Sequence, residues 1–138
     1  MKLNPNTRYA VRLLFELSDS SAPLSLATLS QRTGIAQRAV ENVHNTLRHK
    51  GITRGSVGPK GGIHLCKQLA DISLGQLVAW FDEGVELSVC CGEKANNCPK
   101  RPLCATNSAW KGASNRLQNA MNAVFLADIK NGTFRGIS

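Results

Sequence analysis

The stretch from Cys90 to Cys104 limits what this chain can fold into more than any other part. It holds four of the chain's five cysteines together with Gly92, Pro99 and Pro102, so a regular helix or strand cannot run through it. We predict an irregular loop that presents thiolates between two structured parts. Soft thiolate ligands select soft metals, so the loop favours zinc, copper(I) or an iron–sulfur cluster.

The spacing of these cysteines favours a cluster over a zinc knuckle. The gaps are Cys91-x6-Cys98-x5-Cys104, or Cys90-x7-Cys98 if the first of the adjacent pair is used. Structural zinc sites usually contain Cys-x2–4-Cys pairs, and the loop has none. Three widely spaced thiolates suit an iron–sulfur cluster whose fourth ligand comes from elsewhere. Zinc, disulfides, redox thiol pairs and inert buried cysteines are the alternatives.

The charge distribution indicates a polyanionic partner. The formal net charge is +8; residues 1–66 carry nine Lys/Arg and three Asp/Glu, whereas residues 67–138 carry eight and six. A basic front half is typical of proteins that bind nucleic acid. The start of the chain lacks the apolar core of a signal peptide, and no apolar run reaches the roughly 18 residues of a membrane span. We therefore expect a cytoplasmic protein with reduced thiols.

The first fifty residues predict three helices, of which the last two form a helix-turn-helix. A helix capped at Asn6 or Thr7 runs to about Ser18 with one apolar stripe. A short helix follows the cap at Ser25, and a turn at residues 33–35 leads to a longer helix. The exposed face of this longer helix has residue types that hydrogen-bond base edges and phosphates. The candidate DNA-contacting residues there are Arg38, Glu41, Asn42, Asn45 and His49, with Gln37 at the leading edge.

A β-hairpin with a basic tip is predicted directly after this helix. Residues 52–57 and 63–66 read as strands, and three glycines fill the turn between them. A helix-turn-helix followed by such a hairpin is a winged helix. The glycines let the backbone approach DNA closely, so Lys60 or Arg54 can reach a phosphate or the minor groove. A plain surface hairpin is the alternative.

The rest of the chain predicts a helix capped by Ser73 and, from Ala105, a long helix of about twenty residues or more. The long helix has a heptad-like apolar seam, which needs a partner. A symmetric dimer is the economical partner, and packing of the seam on its own domain is the alternative. The predicted dimer-interface residues are Trp110, Ala113, Leu117, Ala120, Met121 and Val124.

The fold class expected is mainly α, with three parts. Residues 1–83 form the winged helix-turn-helix domain, residues 84–104 form the cysteine loop, and residues 105–138 form the dimerisation helix and tail. Adjacent Cys90 and Cys91 also raise the alternative of a thiol-redox enzyme. That alternative lacks a Cys-x-x-Cys motif on a βαβ unit and any acid–base constellation, so we expect no enzyme.

The chain resembles the family of bacterial iron–sulfur winged-helix transcription regulators that includes IscR and NsrR. The similarity covers nearly the whole chain. Its motifs are Arg8-Tyr9-Ala10-Val11, Gly58-Pro59-Lys60-Gly61-Gly62, Ile72-Ser73-Leu74-Gly75, the three spaced cysteines and Trp110 beyond them. The resemblance implies a homodimer that binds a pseudo-palindromic operator in double-stranded DNA. It also implies that the operator affinity depends on a 2Fe–2S or 4Fe–4S cluster.

The resemblance assigns the cluster ligands residue by residue. Cys98 and Cys104 match ligand positions, and Cys90 and Cys91 compete for the first position, with Cys91 closer to the family's shorter spacings. Cys66, at the end of the wing, matches no ligand position. We expect a switch in which cluster loss or oxidation changes the order of the 90–104 loop, and that order sets the spacing of two recognition helices. That spacing must match successive major grooves, roughly 34 Å apart.

Three positions depart from the family pattern. Some members have a histidine ligand three residues past the last cysteine, where this chain has Asn107. Others use an acidic residue of the partner's first helix, where this chain has Arg8, so the fourth ligand and the cluster type stay open. Val57 stands where members often have an arginine before the wing's Gly-Pro. Lys60 or Arg54 are the substitutes. A regulator of the same fold that senses oxidants through its thiols or binds zinc is the alternative.

Overall fold

The computed structural model describes residues 2–88, Pro99 and residues 104–133. In this part of the chain a helix-turn-helix is followed by a hairpin and by further helices. The elements are α1 (Pro5–Asp19), α2 (Leu26–Thr33), α3 (Gln37–His49), β1 (Thr53–Ser56), β2 (Gly62–Leu65), α4 (Leu74–Phe81), α5 (Ala105–Asn122) and α6 (Leu126–Lys130), with a 3-10 turn at Leu69–Asp71. The expected fold class, mainly α with a two-stranded wing and a long C-terminal helix, is confirmed. None of the described helices is both long enough and apolar enough to cross a membrane.

The start of α1 differs from the predicted cap at Asn6 or Thr7. Asn4 is the cap, and its side chain accepts a hydrogen bond from the Asn6 N–H at 2.9 Å. Pro5 fits the first helical position because its fixed φ and missing N–H cost nothing there. Thr7 is fully buried instead, and its hydroxyl donates a hydrogen bond to the Asp82 carboxylate.

The core forms where α1, α2 and α3 meet, as the apolar stripes predict. The stripe of α1 is buried, and the stripe of α3 and Leu29 of α2 face it. The fully buried members are Ala10, Leu13, Leu14, Leu29, Val40, Val43 and Leu47. Burial of each large side chain is worth about 1.5–3 kcal/mol, so this packing fixes the recognition helix α3 on α1.

The wing is an antiparallel hairpin in which Arg54 pairs with His64. Leu24, before α2, extends it by a bridge: the Leu24 N–H donates to the Ile63 carbonyl at 2.9 Å, and the Ile63 N–H donates to the Leu24 carbonyl at 2.7 Å. Gly62 has a φ of +150°, and a Cβ there would lie 2.7 Å from backbone atoms of Leu24. Glycine is therefore required where the wing crosses this segment.

The long helix α5 ends earlier than predicted, so Val124 is not part of its seam. The Val124 carbonyl accepts the Leu74 N–H at 2.7 Å, and the Leu126 N–H donates to the Ile72 carbonyl at 2.9 Å. These bonds draw residues 124–126 into an extended bridge beside Ser73, which stops the helix at Asn122. The chain then returns to the front half through α6.

Helix α6 closes the fold by packing against the 3-10 turn and α1. Leu126 is fully buried. The ammonium of Lys130 forms an ion pair with Asp19 and donates to Ser18 Oγ at 2.7 Å and to the Phe15 carbonyl at 3.4 Å. A cation at this place also complements the negative C-terminal end of α1.

Candidate nucleic-acid interface and cysteine segment

The polar face of α3 is fully presented to solvent. Each of the six side chains predicted from the sequence is exposed, while the opposite face of the helix is buried in the core. The exposed six are Gln37, Arg38, Glu41, Asn42, Asn45 and His49. A helix with this division can lie in a major groove without losing its own packing.

The wing places its basic residues beside this face. Arg54 on β1 and Lys60 in the turn are both exposed. The turn contains Gly58 with a φ of +106° and closes with a hydrogen bond from the Gly61 N–H to the Gly58 carbonyl at 2.9 Å. Val57, at the tip, is completely exposed. An apolar side chain is therefore presented to solvent at the tip of the wing.

A buried polar contact holds α3 against the wing. His44 Nδ1 lies 3.0 Å from Thr53 Oγ1 of β1, and both residues are buried. The Ile52 N–H also donates to the Leu47 carbonyl at 3.0 Å, at the join between helix and strand. Sequence reasoning missed this role of His44. The available signal was its position four residues after Val40 and one after Val43, on the buried side of α3.

Acid is expected to destabilise the fold through His44. Burial lowers the pKa of His44 from its ordinary value of 6.5, and the positive charge of nearby Arg48 lowers it further. The unfolded chain therefore takes up this proton first, so stability is lost as the pH falls below about 6.5 and through the folded pKa. Urea unfolding between pH 7.5 and 5 should show the loss. His44→Asn should flatten the curve because it can still bond the Thr53 hydroxyl but cannot be charged.

The matched control for this prediction is His49→Asn, on the exposed face of the same helix. Its side chain is in water in the folded and in the unfolded chain, so its removal should leave the wild-type pH dependence in place. An equal flattening by both variants would contradict the assignment to His44.

Two further basic residues of α3 and its end were not singled out from the sequence. Arg48 is exposed, three residues after Asn45 and seven after Glu41, so it continues the same helix face. Helical spacing alone could have identified it. Lys50 is exposed as well, but its ammonium lies 5.9 Å from the ring centre of Trp80 on α4. This cation–π contact ties the end of α3 to α4.

The cysteine segment is described only at its end. Cys90, Cys91 and Cys98 lie outside the described residues, so their predicted ligand role is untested. Cys104 is the half-buried residue that precedes α5, and its Sγ lies 3.0 Å from Thr106 Oγ1. The N-terminal end of a helix carries partial positive charge, and the Cys104 side chain lies at this end of α5.

Other possible ligands do not gather around Cys104 in the described part of the chain. Within residues 2–88, 99 and 104–133, no group of three His, Cys, Asp or Glu side chains could hold a metal ion. Asn107 is half-buried, and its N–H donates to the Cys104 carbonyl at 3.3 Å. Cys66 is exposed at the end of β2.

The chain that leads from α4 to the cysteines is fixed at two points. The carboxylate of Asp82 accepts hydrogen bonds from the Asn4 N–H at 2.8 Å and from the Thr7 hydroxyl, which joins it to α1. Five residues on, the Leu87 N–H donates to Ser114 Oγ of α5 at 3.1 Å. Between these points Glu83 has a φ of +58°, a value that is uncommon for a residue with a side chain.

The predicted seam of α5 faces away from the described domain. Trp110 and Leu117 are 46% and 41% exposed, Ala120 is exposed, and Ala113 and Met121 are half-buried. The inner side of the same helix is different, since Ser114 is buried. Apolar side chains exposed in one row on a long helix are typical of an interaction surface.

Comparison with known proteins agrees with this architecture. The family described as "Rrf2: Iron-dependent Transcriptional regulator" matches residues 3–132. The HTH-type transcriptional regulator IscR of Cronobacter sakazakii is 32% identical over 133 residues, which are 95% of this chain and 81% of that protein. Protein rrf2 of Nitratidesulfovibrio vulgaris is 31% identical over 131 residues, which are 94% of this chain and 87% of that protein.

Solved structures show the same fold. IscR of T. potens superposes with a TM-score of 0.71 at 20% identity, over 100% of this chain and 94% of that chain. CymR of B. subtilis, described as the global cysteine regulator, superposes with a TM-score of 0.72 at 18% identity, over 97% and 99%. The family match and the curated relatives show that the chain belongs to the Rrf2 family of transcriptional regulators.

Proposed function

We propose that this Rrf2-family regulator is a homodimer that binds a pseudo-palindromic operator, and that an iron–sulfur cluster on its cysteine segment sets the operator affinity. Cys91, Cys98 and Cys104 would hold the cluster, with Cys90 as the alternative first ligand. When bound, such a cluster supplies a redox-active, charged centre that responds to oxidants, nitric oxide or iron supply. The proposal makes no assignment of the fourth ligand.

One observation carries the proposal: Cys104 directly precedes α5, and α5 carries the exposed apolar seam. A proposed ligand therefore lies directly before the helix that carries the surface suited to a second protomer. The segment before the cysteines is tied to α1 through Asp82 and to α5 through Leu87. A change in how the cysteine segment is held would therefore affect α5, which would position the two protomers, and α1, which supports α3.

The donor set suits a cluster. It consists of cysteine thiolates from a Gly- and Pro-containing stretch of the sequence, and Cys104 has the extended backbone of a residue outside the helix, with φ −86° and ψ 104°. Its sulfur lies beside the partial positive charge of the α5 N-terminus, which stabilises the negative charge of ligated sulfur. Relatives named IscR and a family described as iron-dependent support the same assignment.

The DNA contacts follow from the exposed face of α3 and from the wing. Gln37 and Arg38 lie at the N-terminal end of α3, the end that usually contacts base edges in a helix-turn-helix. Asn42 and Asn45 continue the base-reading face, and Arg48 extends it toward the phosphates. In the wing, Arg54 and Lys60 supply phosphate contacts. Because such contacts release counterions, the affinity that they provide falls as the salt concentration rises.

Anaerobic purification tests the cofactor. We expect a coloured protein with iron and acid-labile sulfide, and operator binding measured by fluorescence anisotropy that changes when the cluster is removed. A variant with Cys91, Cys98 and Cys104 all changed to Ala should hold no cluster and should bind the operator with one affinity before and after reconstitution. Cys66→Ala is the matched control, because it removes an exposed thiol that has no ligand role in the proposal.

A cluster-free thiol sensor or a zinc-binding regulator of the same fold is the second candidate. The likeness to CymR, described as a cysteine regulator, favours it. A colourless anaerobic protein with stoichiometric zinc, or one whose operator affinity responds to peroxide without iron, would support it and would overturn the cluster. The family is one of transcriptional regulators, so a thiol-redox enzyme has no support.

A further inference from the structure

A hydroxyl group contacts the one proposed ligand sulfur that the structure describes. Thr106 Oγ1 lies 3.0 Å from Cys104 Sγ. The two residues lie on either side of the first residue of α5: Cys104 is the cap residue, and Thr106 is the second residue of the helix. The distance is within hydrogen-bonding range for sulfur and oxygen.

The donor of this hydrogen bond is fixed once the sulfur is a ligand. A thiol and a hydroxyl can each donate, but a ligating cysteine is a thiolate and has no proton. The Thr106 hydroxyl then donates and the Cys104 sulfur accepts. Hydrogen bonds to an ionised acceptor are stronger than those between neutral groups, so the contact strengthens when the sulfur carries charge.

Helix capping does not account for the contact. The side chain of Cys104 makes no hydrogen bond to the backbone of the first turn of α5. Thr106 is exposed, so its hydroxyl is not needed to satisfy a buried group. The contact joins one side chain to another and orients the sulfur without being required for the helix.

The geometry points to Thr106 as a positioning residue that holds the Cys104 sulfur as a cluster ligand and raises the reduction potential of the cluster. This inference rests on the proposed function. A hydrogen bond to a ligand sulfur favours the reduced state, which is the more negative one. It also fixes the side-chain rotamer of Cys104, so that less conformational entropy is lost when the metal is bound.

The experiment compares reconstituted wild-type protein with Thr106→Val, Thr106→Ser and Ser108→Ala. Valine has nearly the shape of threonine without the hydroxyl, and serine keeps the hydroxyl. Ser108 donates to the Ala105 carbonyl at 3.1 Å in the same helical turn, so its loss is the matched control. The readouts are iron and sulfide content, the midpoint potential from a spectroelectrochemical titration, and the deuterium shift of the Fe–S(Cys) stretch in resonance Raman spectra.

We expect Thr106→Val to lower the midpoint potential by an amount on the order of 59 mV. For a one-electron couple this is a tenfold change in the equilibrium constant of reduction. It should also reduce the deuterium shift, because the exchangeable hydroxyl proton that is hydrogen-bonded to the sulfur is lost. Thr106→Ser and Ser108→Ala should keep the wild-type potential. A wild-type potential in Thr106→Val, or an equal change in Ser108→Ala, would overturn the role of Thr106. Wild-type protein without iron and sulfide would instead overturn the proposed function itself.

Discussion

Leu117→Asp is expected to produce a monomer and to weaken binding to a full operator by roughly 10²-fold or more. Two linked DNA-binding domains bind with far greater avidity than one. Leu117 is in the middle of the exposed seam of α5 and is 41% exposed in a single chain. In the proposed dimer it would be covered, and an unpaired carboxylate there would lose its water. Sedimentation velocity gives the oligomeric state, and fluorescence anisotropy with the operator gives the affinity.

The matched control is Asn119→Asp, which adds the same charge to an exposed position of α5 outside the seam. It should leave both the dimer and the operator affinity close to wild type, since its side chain stays in water. A dimeric Leu117→Asp protein with wild-type affinity would show that the seam of α5 is not the dimer surface. The exposed row would then be explained as ordinary surface.

Gly75→Ala is expected to destabilise the fold by about 1–3 kcal/mol, the usual cost of inserting a group into a filled space. A Cβ at Gly75 would lie 1.9 Å from Asn122 Oδ1 and 2.6 Å from the Asn122 backbone nitrogen. The Gly75 carbonyl also accepts a hydrogen bond from Gln118 Nε2 at 3.0 Å, so α4 and α5 meet here in direct contact. The backbone of Asn122 cannot move without loosening the end of α5. Urea unfolding, followed by circular dichroism, measures the loss.

Gly112→Ala is the control for this substitution, because it makes the same chemical change in α5. None of the residues that the structure describes lies within 4 Å of a Cβ at Gly112. Alanine in a helix interior is favoured over glycine by about 0.5–1 kcal/mol, so this variant should be more stable than wild type. If both variants changed stability in the same direction, close packing at Gly75 would not be the cause.

Much of the fold could be predicted because its signals are local. The apolar spacing of α1 and α3 identified the buried faces, and a hydroxyl cap with a glycine after the helix bounded α2. Asn4 was missed as a cap although Pro5 at the first helical position is a local signal for it. The polar face of α3 was readable for the same reason, since its period is that of a helix.

Other features that sequence reasoning missed depend on contacts between residues that are not neighbours in the sequence. The end of α5 is set by two hydrogen bonds, from the Leu74 N–H to the Val124 carbonyl and from the Leu126 N–H to the Ile72 carbonyl, which no pattern near residue 122 reveals. His44 joins Thr53 across the helix–wing boundary, and Asp82 joins Thr7 across 75 positions. The cysteine ligands Cys90, Cys91 and Cys98 stay predictions, since they lie outside the described residues.

The attachment of α5 at its inner face and at its far end has a mechanical consequence. Gln118 holds it to the start of α4, and the bridge between Ser73 and Phe125 clamps the chain just beyond it. Helix α6 then anchors this end on α1 through Lys130. These contacts hold α5 to the domain that carries α3 and the wing, so α5 moves with that domain and does not rotate separately from it. In the proposed dimer of such units, the distance between the two copies of α3 would change only by rotation at the dimer interface, and a small rotation there would produce a large displacement at the DNA.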